Sequence, residues 1–272
     1  MRLSIQHKVT YRYVPDAARV AIRLKMFPAV FAAQSMPEWA LTVNGQRVEP
    51  LLTDAAGDAI ALWQSHDPVE DVVVNTQGIV ETVDRSGVVD GLSKMMAPPI
   101  YLRETKLTEP DDAIREISGF ATGATTLDRL HALCGAVREA IIYRQGATEV
   151  DTTAAEALAR GAGVCQDQAH VFIAAARCLG IPARYVVGYF LDPDGAGESE
   201  ESHAWAEAYV SGLGWIGFDI TNELCPTDRY VRLASGFDAY DAAPVRGTVF
   251  GDAEEEMTAE VIVSMASAQS QQ

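Results

Sequence analysis

The chain has 272 residues, enough for one large domain or two smaller ones, which excludes a small scaffold held together by disulfides or metal. With 48% hydrophobic and 22% charged residues, 12 Pro and 21 Gly, it reads as neither disordered nor collagen-like. The 21 basic and 38 acidic residues leave a net charge of −17, which repels a phosphate backbone and argues against a nucleic-acid partner.

The opening MRLSIQHKVTYRYV interrupts its apolar residues at every second position, so it lacks the continuous apolar run of a signal peptide. No later segment approaches the ~20 apolar residues of a membrane span. Cys134, Cys165, Cys178 and Cys225 form no CxxC pair. The expectation is a cytoplasmic protein with free thiols and no membrane partner. Paired Cys/His spacing, a calcium loop and a glycine-rich nucleotide fingerprint are all missing, so neither metal nor cofactor is expected.

Leu3, Ile5, Val9, Tyr11 and Tyr13 alternate with polar residues, the two-residue period of a strand with one buried face. Val20, Ile22, Leu24 and Met26 repeat it, and Leu41-Thr42-Val43 runs into Asn44-Gly45, a pair suited to a hairpin turn. Ala59 to Trp63 and Val69 to Val83 add further strands, so residues 1 to about 92 read as an antiparallel β module of sandwich type. Pro98-Pro99 and Pro110 bracket a stretch without period, read as a linker. From Asp111 the period lengthens: Leu127, Leu130, Leu133, Cys134, Val137 and Ile141 form one stripe of an amphipathic helix. Thr152 or Thr153 can cap a short helix through Ala159, and Cys165 to Leu179 forms another, ended by Gly180 and Pro182. Ala183 to Phe190 reads as a strand, LDPDGAGESEES as a mobile surface loop, and His203–Val210 with Gly214–Ile220 as a hairpin. Thr258 to Met265 supplies a last strand before a polar, frayed tail. The boundaries are then 1–95 for the β domain, 96–112 for the linker, 113–250 for the core and 251–272 for the final strand and tail.

Cys165 follows Gly161-Ala162-Gly163 and opens a helix, where unpaired N–H groups and the helix dipole favour an anion. It reads either as a stabilised thiolate or as an inert buried cysteine. Among five histidines, His7 lies on the apolar face of strand one, His66 in a turn and His131 on a helix flank. His170 points some 140° around the helix from Cys165, by ~100° per residue. His203 is left as a base. A hairpin turning at 210–214 sets His203 opposite Thr221 and Trp205 opposite Asp219, on one face, so His203 and Asp219 become diagonal neighbours. A turn one residue longer or shorter would part them. Asp219 then either orients the imidazole or is an ordinary strand-end residue.

The blocks GAGVCQDQAHVFIAAARCLGIPARYVVGYF, SHAWAEAYV and GWIGFDITNE resemble, in order and spacing, the bacterial transglutaminase-like superfamily, which has the papain-like fold of cysteine proteases. The likeness extends to residues 2–83, similar to the family's N-terminal β domain, and to YVRLASGFDAYDAAPVRG at 230–247. It implies an α+β fold: an antiparallel, β-sandwich-like N-terminal domain followed by a papain-like, transglutaminase-like core of helices on an antiparallel sheet. It matches Cys165 to the family nucleophile, His203 to the base and Asp219 to its orienting residue. Gln168 stands where the family usually has an aromatic, Ile220 where it has Pro, and Phe237 where it has Arg.

The chemistry implied is a cysteine peptidase or amidase that cleaves peptide or protein substrates through a thioester acyl-enzyme. Transfer of the acyl group to an amine, or a non-catalytic binding scaffold, are the alternatives. The Cys165 N–H is one oxyanion donor. Tyr143 and Gln166 are candidates for a second, with solvent-facing helix residues as the other reading. Trp205 and Trp215 either wall the cleft or pack. The oligomeric state is not legible.

Overall fold

Alternating apolar and polar residues make Arg2–Ala17 a 16-residue strand, with Leu3, Ile5, His7 and Val9 buried and Arg2, Gln6 and Lys8 exposed. In the computed structural model, which describes residues 1–92, 96–193, 198–199 and 202–266, this strand pairs on both sides, with Val69–Thr82 and with Glu254–Met265. Gln34–Val43 and Gln46–Arg47 extend the sheet on one side and Glu198–Ser199 on the other, and all of its pairings are antiparallel. The turn between Val43 and Gln46 places Asn44 and Gly45 at φ 48° and 77°, the positive values that a tight hairpin demands.

A second antiparallel sheet runs Val245–Phe250, Arg19–Leu24, Ala59–Gln64 and Leu52–Thr53. Val9, Tyr13, Leu41, Val43, Val72 and Val74 of the first sheet meet Val20, Ile22, Leu24 and Ala61 of the second in one buried cluster. Two sheets, each apolar on one face, bury those faces against each other. Each takes one strand from beyond residue 244, so the last strands of the described chain are built into the N-terminal layers.

The rest of the chain packs helices on a third sheet. Asp112–Ser118 (α1), Thr126–Ala140 (α2), Ala154–Arg160 (α3), Cys165–Cys178 (α4) and the short Ala239–Ala242 (α5) lie with antiparallel strands in the order Tyr230–Gly236, Ala183–Phe190, His203–Val210, Gly214–Phe218, Val88–Val89. Thr153 caps α3, its hydroxyl accepting from the Glu156 N–H while the Glu156 carboxylate accepts from the Thr153 N–H. Helix α4 is enclosed on nearly every side, with Ala169 to Ala176 at the centre of the cluster that also takes in Ala204, Ala206, Ala208, Ile216 and Phe218. The even-numbered residues of the His203 hairpin therefore face the helices.

The proline-bracketed segment lacks a period but is not loose. It forms two 3₁₀ turns, Pro98–Leu102 and Lys106–Thr108, that bury Tyr101 and Leu107. Arg177 of α4 donates to the Tyr101 carbonyl at 2.9 Å and to Thr108 Oγ1 at 2.7 Å. Hydrogen bonds to one buried guanidinium hold a stretch that no repeating face could.

The two halves join through Leu3, Ile5, Val80, Val261 and Val263 packed on Tyr189, Val231 and Leu233. A buried ionic chain lies alongside. Lys25 Nζ meets Asp54 Oδ2 at 2.6 Å and Asp58 Oδ2 at 3.6 Å, Asp58 Oδ1 meets Arg232 Nη1 at 3.5 Å, and Glu207 accepts from Arg232 Nε at 2.9 Å and Arg184 Nε at 2.6 Å. Most of the acidic stretch read as a surface loop (194–197 and 200–201), the residues 93–95, and the tail from 267 lie outside the described residues.

Candidate active site

Cys165 is the first residue of α4 and is half-buried. The helix start is fixed by Asp167, whose Oδ2 accepts from the Val164 N–H at 2.7 Å and from Thr148 Oγ1 at 2.7 Å. Gly163 permits that approach, since a Cβ there would lie 2.6 Å from Asp167 Oδ2. Here the sequence dictates the turn, the turn sets the helix, and the helix presents its first, unpaired N–H groups beside a thiol.

The hairpin pairs Ala206 with Phe218, Tyr209 with Trp215 and Val210 with Gly214, the register of a turn at 210–214. The ladder ends at Phe218, and Asp219, just past it and bridged to Leu224, lies with Oδ2 2.6 Å from His203 Nε2, while Cys165 is near enough to act on the ring. Burial alone would lower the His203 pKa. Hydrogen bonds to Asp219 and Cys165, with the charges of both, outweigh it and push the value up to about 10. Asp219 has no solvent exposure, yet its pKa lies below the ordinary carboxylate value, because bonds from His203, Tyr230 and Asn222 overcome the cost of burial. Strand geometry thus produces a proton-holding imidazole between a buried carboxylate and a thiol.

Two partners of Asp219 escape sequence reasoning. Tyr230 Oη donates to Asp219 Oδ2 at 2.6 Å, and Asn222 donates through Nδ2 to Oδ2 at 2.7 Å and through its backbone N–H to Oδ1 at 3.2 Å. Asn222 carries a faint signal, an amide three residues past an aspartate in a turn. Tyr230 carries none, since only the pairing of Phe190 with Tyr230 across strands brings it here. Gln168 accepts from Thr221 Oγ1 at 2.7 Å and donates to the Ile141 carbonyl at 2.8 Å, pinning the Asp219 turn to α4.

The remaining candidates divide. Trp205 is buried over Gly188 and Gly217 of the flanking strands, where any Cβ on Gly188 would meet its ring at 2.6 Å, and it packs 6.3 Å from His203 and 5.6 Å from Tyr230. Trp215 sits at the other end of the hairpin against Tyr101, Tyr209 and the Arg184 guanidinium, apart from His203. Gln166 Nε2 donates to the Val150 carbonyl at 3.0 Å. Tyr143, 42% exposed, pairs with Gly163 in the short parallel ladder that leads into Cys165. His7 bonds Tyr189 Oη at 3.1 Å, and His170 accepts from the Ala239 N–H at 3.0 Å, so both are occupied in packing. Among the described residues no group of three or more His, Cys, Asp or Glu could hold a metal, and no helix is long and apolar enough to cross a membrane.

Residues 113–220 match the transglutaminase-like superfamily, and residues 3–81 match the bacterial transglutaminase-like N-terminal region. The chain combines a transglutaminase-like core with a bacterial transglutaminase-like N-terminal region. A solved structure of the same fold, a candidate cysteine protease from Cytophaga hutchinsonii, shares 24% identity with a TM-score of 0.75, covering 97% of this chain and 90% of that one. An uncharacterized Mycobacterium leprae protein is 26% identical over 92% of this chain and 94% of its own length. An uncharacterized Mycobacterium tuberculosis protein is 31% identical over 54% of this chain, and the match spans half of that relative, 50%. The transglutaminase-like core therefore carries the Cys165 helix and the His203 hairpin, and the fold is α+β with antiparallel sheets, as the sequence implies.

Proposed function

We propose that this transglutaminase-like protein is a cysteine hydrolase that cleaves peptide or protein amide bonds through Cys165, His203 and Asp219. The observation that carries this reading is the His203 ring held between Asp219 Oδ2 at 2.6 Å and the Cys165 side chain. With the imidazole protonated at neutral pH, sulfur attacks the amide carbonyl carbon and the carbonyl π pair moves to oxygen, facing the N–H groups at the start of α4. Collapse of that tetrahedral species breaks the C–N bond, and His203 gives its proton to the departing amine. Water then attacks the thioester as His203 takes a proton from it, and the carboxylic acid leaves with Cys165 restored. Asp219 fixes the ring orientation throughout.

The four cysteines are all free thiols, which favours the cytoplasm as the working compartment. The test is a vinyl sulfone probe followed by peptide mapping, together with a peptide substrate assay. Modification at Cys165, its loss in Cys165→Ala, and release of amine product without uptake of a labelled amine are the expected results. Incorporation of the labelled amine would make the protein an acyltransferase, and inertness to the probe would overturn the enzymatic reading.

A further inference from the structure

Asp219 distributes its hydrogen bonds unevenly. Oδ2 receives His203 Nε2 at 2.6 Å, Tyr230 Oη at 2.6 Å and Asn222 Nδ2 at 2.7 Å, whereas Oδ1 receives the Asn222 backbone N–H at 3.2 Å. A carboxylate oxygen offers about two lone-pair directions, so three donors on one oxygen compete for it. We propose that Tyr230 is a positioning residue whose hydroxyl locks Asp219 in place and weakens that carboxylate's hold on the His203 proton.

The chemistry explains why such moderation matters. His203 must release its proton to the leaving amine during acylation, and an imidazolium bonded to an unshared carboxylate gives it up reluctantly. A hydroxyl that draws charge from the same oxygen lowers its basicity and eases the transfer. Tyr230 suits this task because it stays a donor: burial first, and then the Asp219 charge, keep its pKa well above the ordinary value. Its ring is buried, 4.6 Å from Phe190, 5.6 Å from Trp205 and 6.0 Å from His203. Those contacts hold the ring whether or not it bears a hydroxyl, so the positioning role and the packing role separate experimentally.

The other titratable groups facing the pair come from two helices. Cys165 on α4 is the partner in the reaction. Cys134 on α2 feels the Asp219 charge, and burial together with that charge pushes its pKa up to about 12, so it stays neutral over the working range. Phe190 and Trp205 bring no charge. Asn222 shares the task with Tyr230 as a neutral donor.

This proposal rests on the reading of His203 as the base, and the test separates the two. In Tyr230→Phe, the alkaline limb of the pH profile for amide hydrolysis, where His203 loses its proton, should move upward by about one unit, with kcat reduced and KM unchanged. The imidazole of His203, followed by NMR in histidine-labelled protein, should hold its proton to correspondingly higher pH. Asn222→Ala should shift the same signals in the same direction, which keeps the idea testable if one variant folds poorly. A Tyr230→Phe protein with an unshifted profile and an unshifted His203 titration, or with a downward shift, overturns the role of Tyr230. Failure of the parent reading looks different: His203 in the unaltered protein would then titrate near the ordinary 6.5 and ignore Asp219→Asn.

Discussion

Two buried constellations of charge share the strand His203–Val210, and they behave in opposite ways. At one end His203 meets Asp219 and Cys165. Toward the other, Glu207 sits between Arg184 and Arg232, in a chain that continues through Asp58 to Lys25 and Asp54. The ionic chain balances three cations against three anions. Burial raises the pKa of Glu207, but the two guanidiniums more than reverse it, and the carboxylates hold Arg232 charged. The two guanidiniums that flank Glu207 have no proton to pass, because guanidinium does not release one. The His203 end instead contains an imidazole, and the Cys165 thiol near it is half-exposed. Burial of charge therefore does not distinguish a reactive site from a structural one. A movable proton within reach of solvent does.

The comparison can be broken by removing one group from each end. His203→Ala should lower amide turnover by roughly 10³-fold or more while leaving the fold intact, since triad members act as a unit. Glu207→Ala should do the reverse in kind. It strands two buried guanidiniums and should cost about 3–5 kcal/mol in denaturant unfolding, while folded protein keeps the pH profile of the unaltered enzyme. If Glu207→Ala shifts that profile, the two ends are not independent. Asp219→Asn should fall between them, lowering turnover less than His203→Ala does, because it removes the charge that favours imidazolium while the amide still bonds the ring.

A smaller effect sharpens the contrast. His203 is raised from 6.5 to about 10, so the stabilisation it contributes is complete below pH 6.5 and is lost as the pH climbs toward 10. Asp219 is depressed, so its contribution is present above the ordinary carboxylate value near 3.8 and disappears as acid protonates it. Thermal melts between pH 6 and 10 should show a slope that His203→Ala removes. An equal slope in both proteins would count against the raised imidazole.

Local rules made much of this legible in the sequence. Parity alone put His203 and Asp219 on one face, because a tight turn at 210–214 leaves a single register to choose. The same parity grouped Trp215 with them. Parity gives a face and not a distance along it, and Trp215 packs on Tyr101 from the segment that has no period at all. Tyr230 stayed hidden for a different reason. Its place depends on how Tyr230–Gly236 pairs with Ala183–Phe190, and that ladder shifts register between Val187 and Gly188. An irregularity of this kind changes which residues share a face and leaves no mark on composition. The assignment of strands 245–250 and 254–265 to the N-terminal sheets was likewise beyond local rules, since partners more than 200 residues apart are chosen by packing.

The most direct measurement is the rate of iodoacetamide labelling at each cysteine across pH, in the unaltered protein and in His203→Ala. Burial raises the pKa of Cys134, Cys178 and Cys225, which makes all three slow at mildly acidic pH. The account predicts that Cys165 is alkylated first near pH 6, and that His203→Ala slows that labelling without altering the other three. Preferential labelling of Cys225, or a Cys165 profile indifferent to His203, would contradict it.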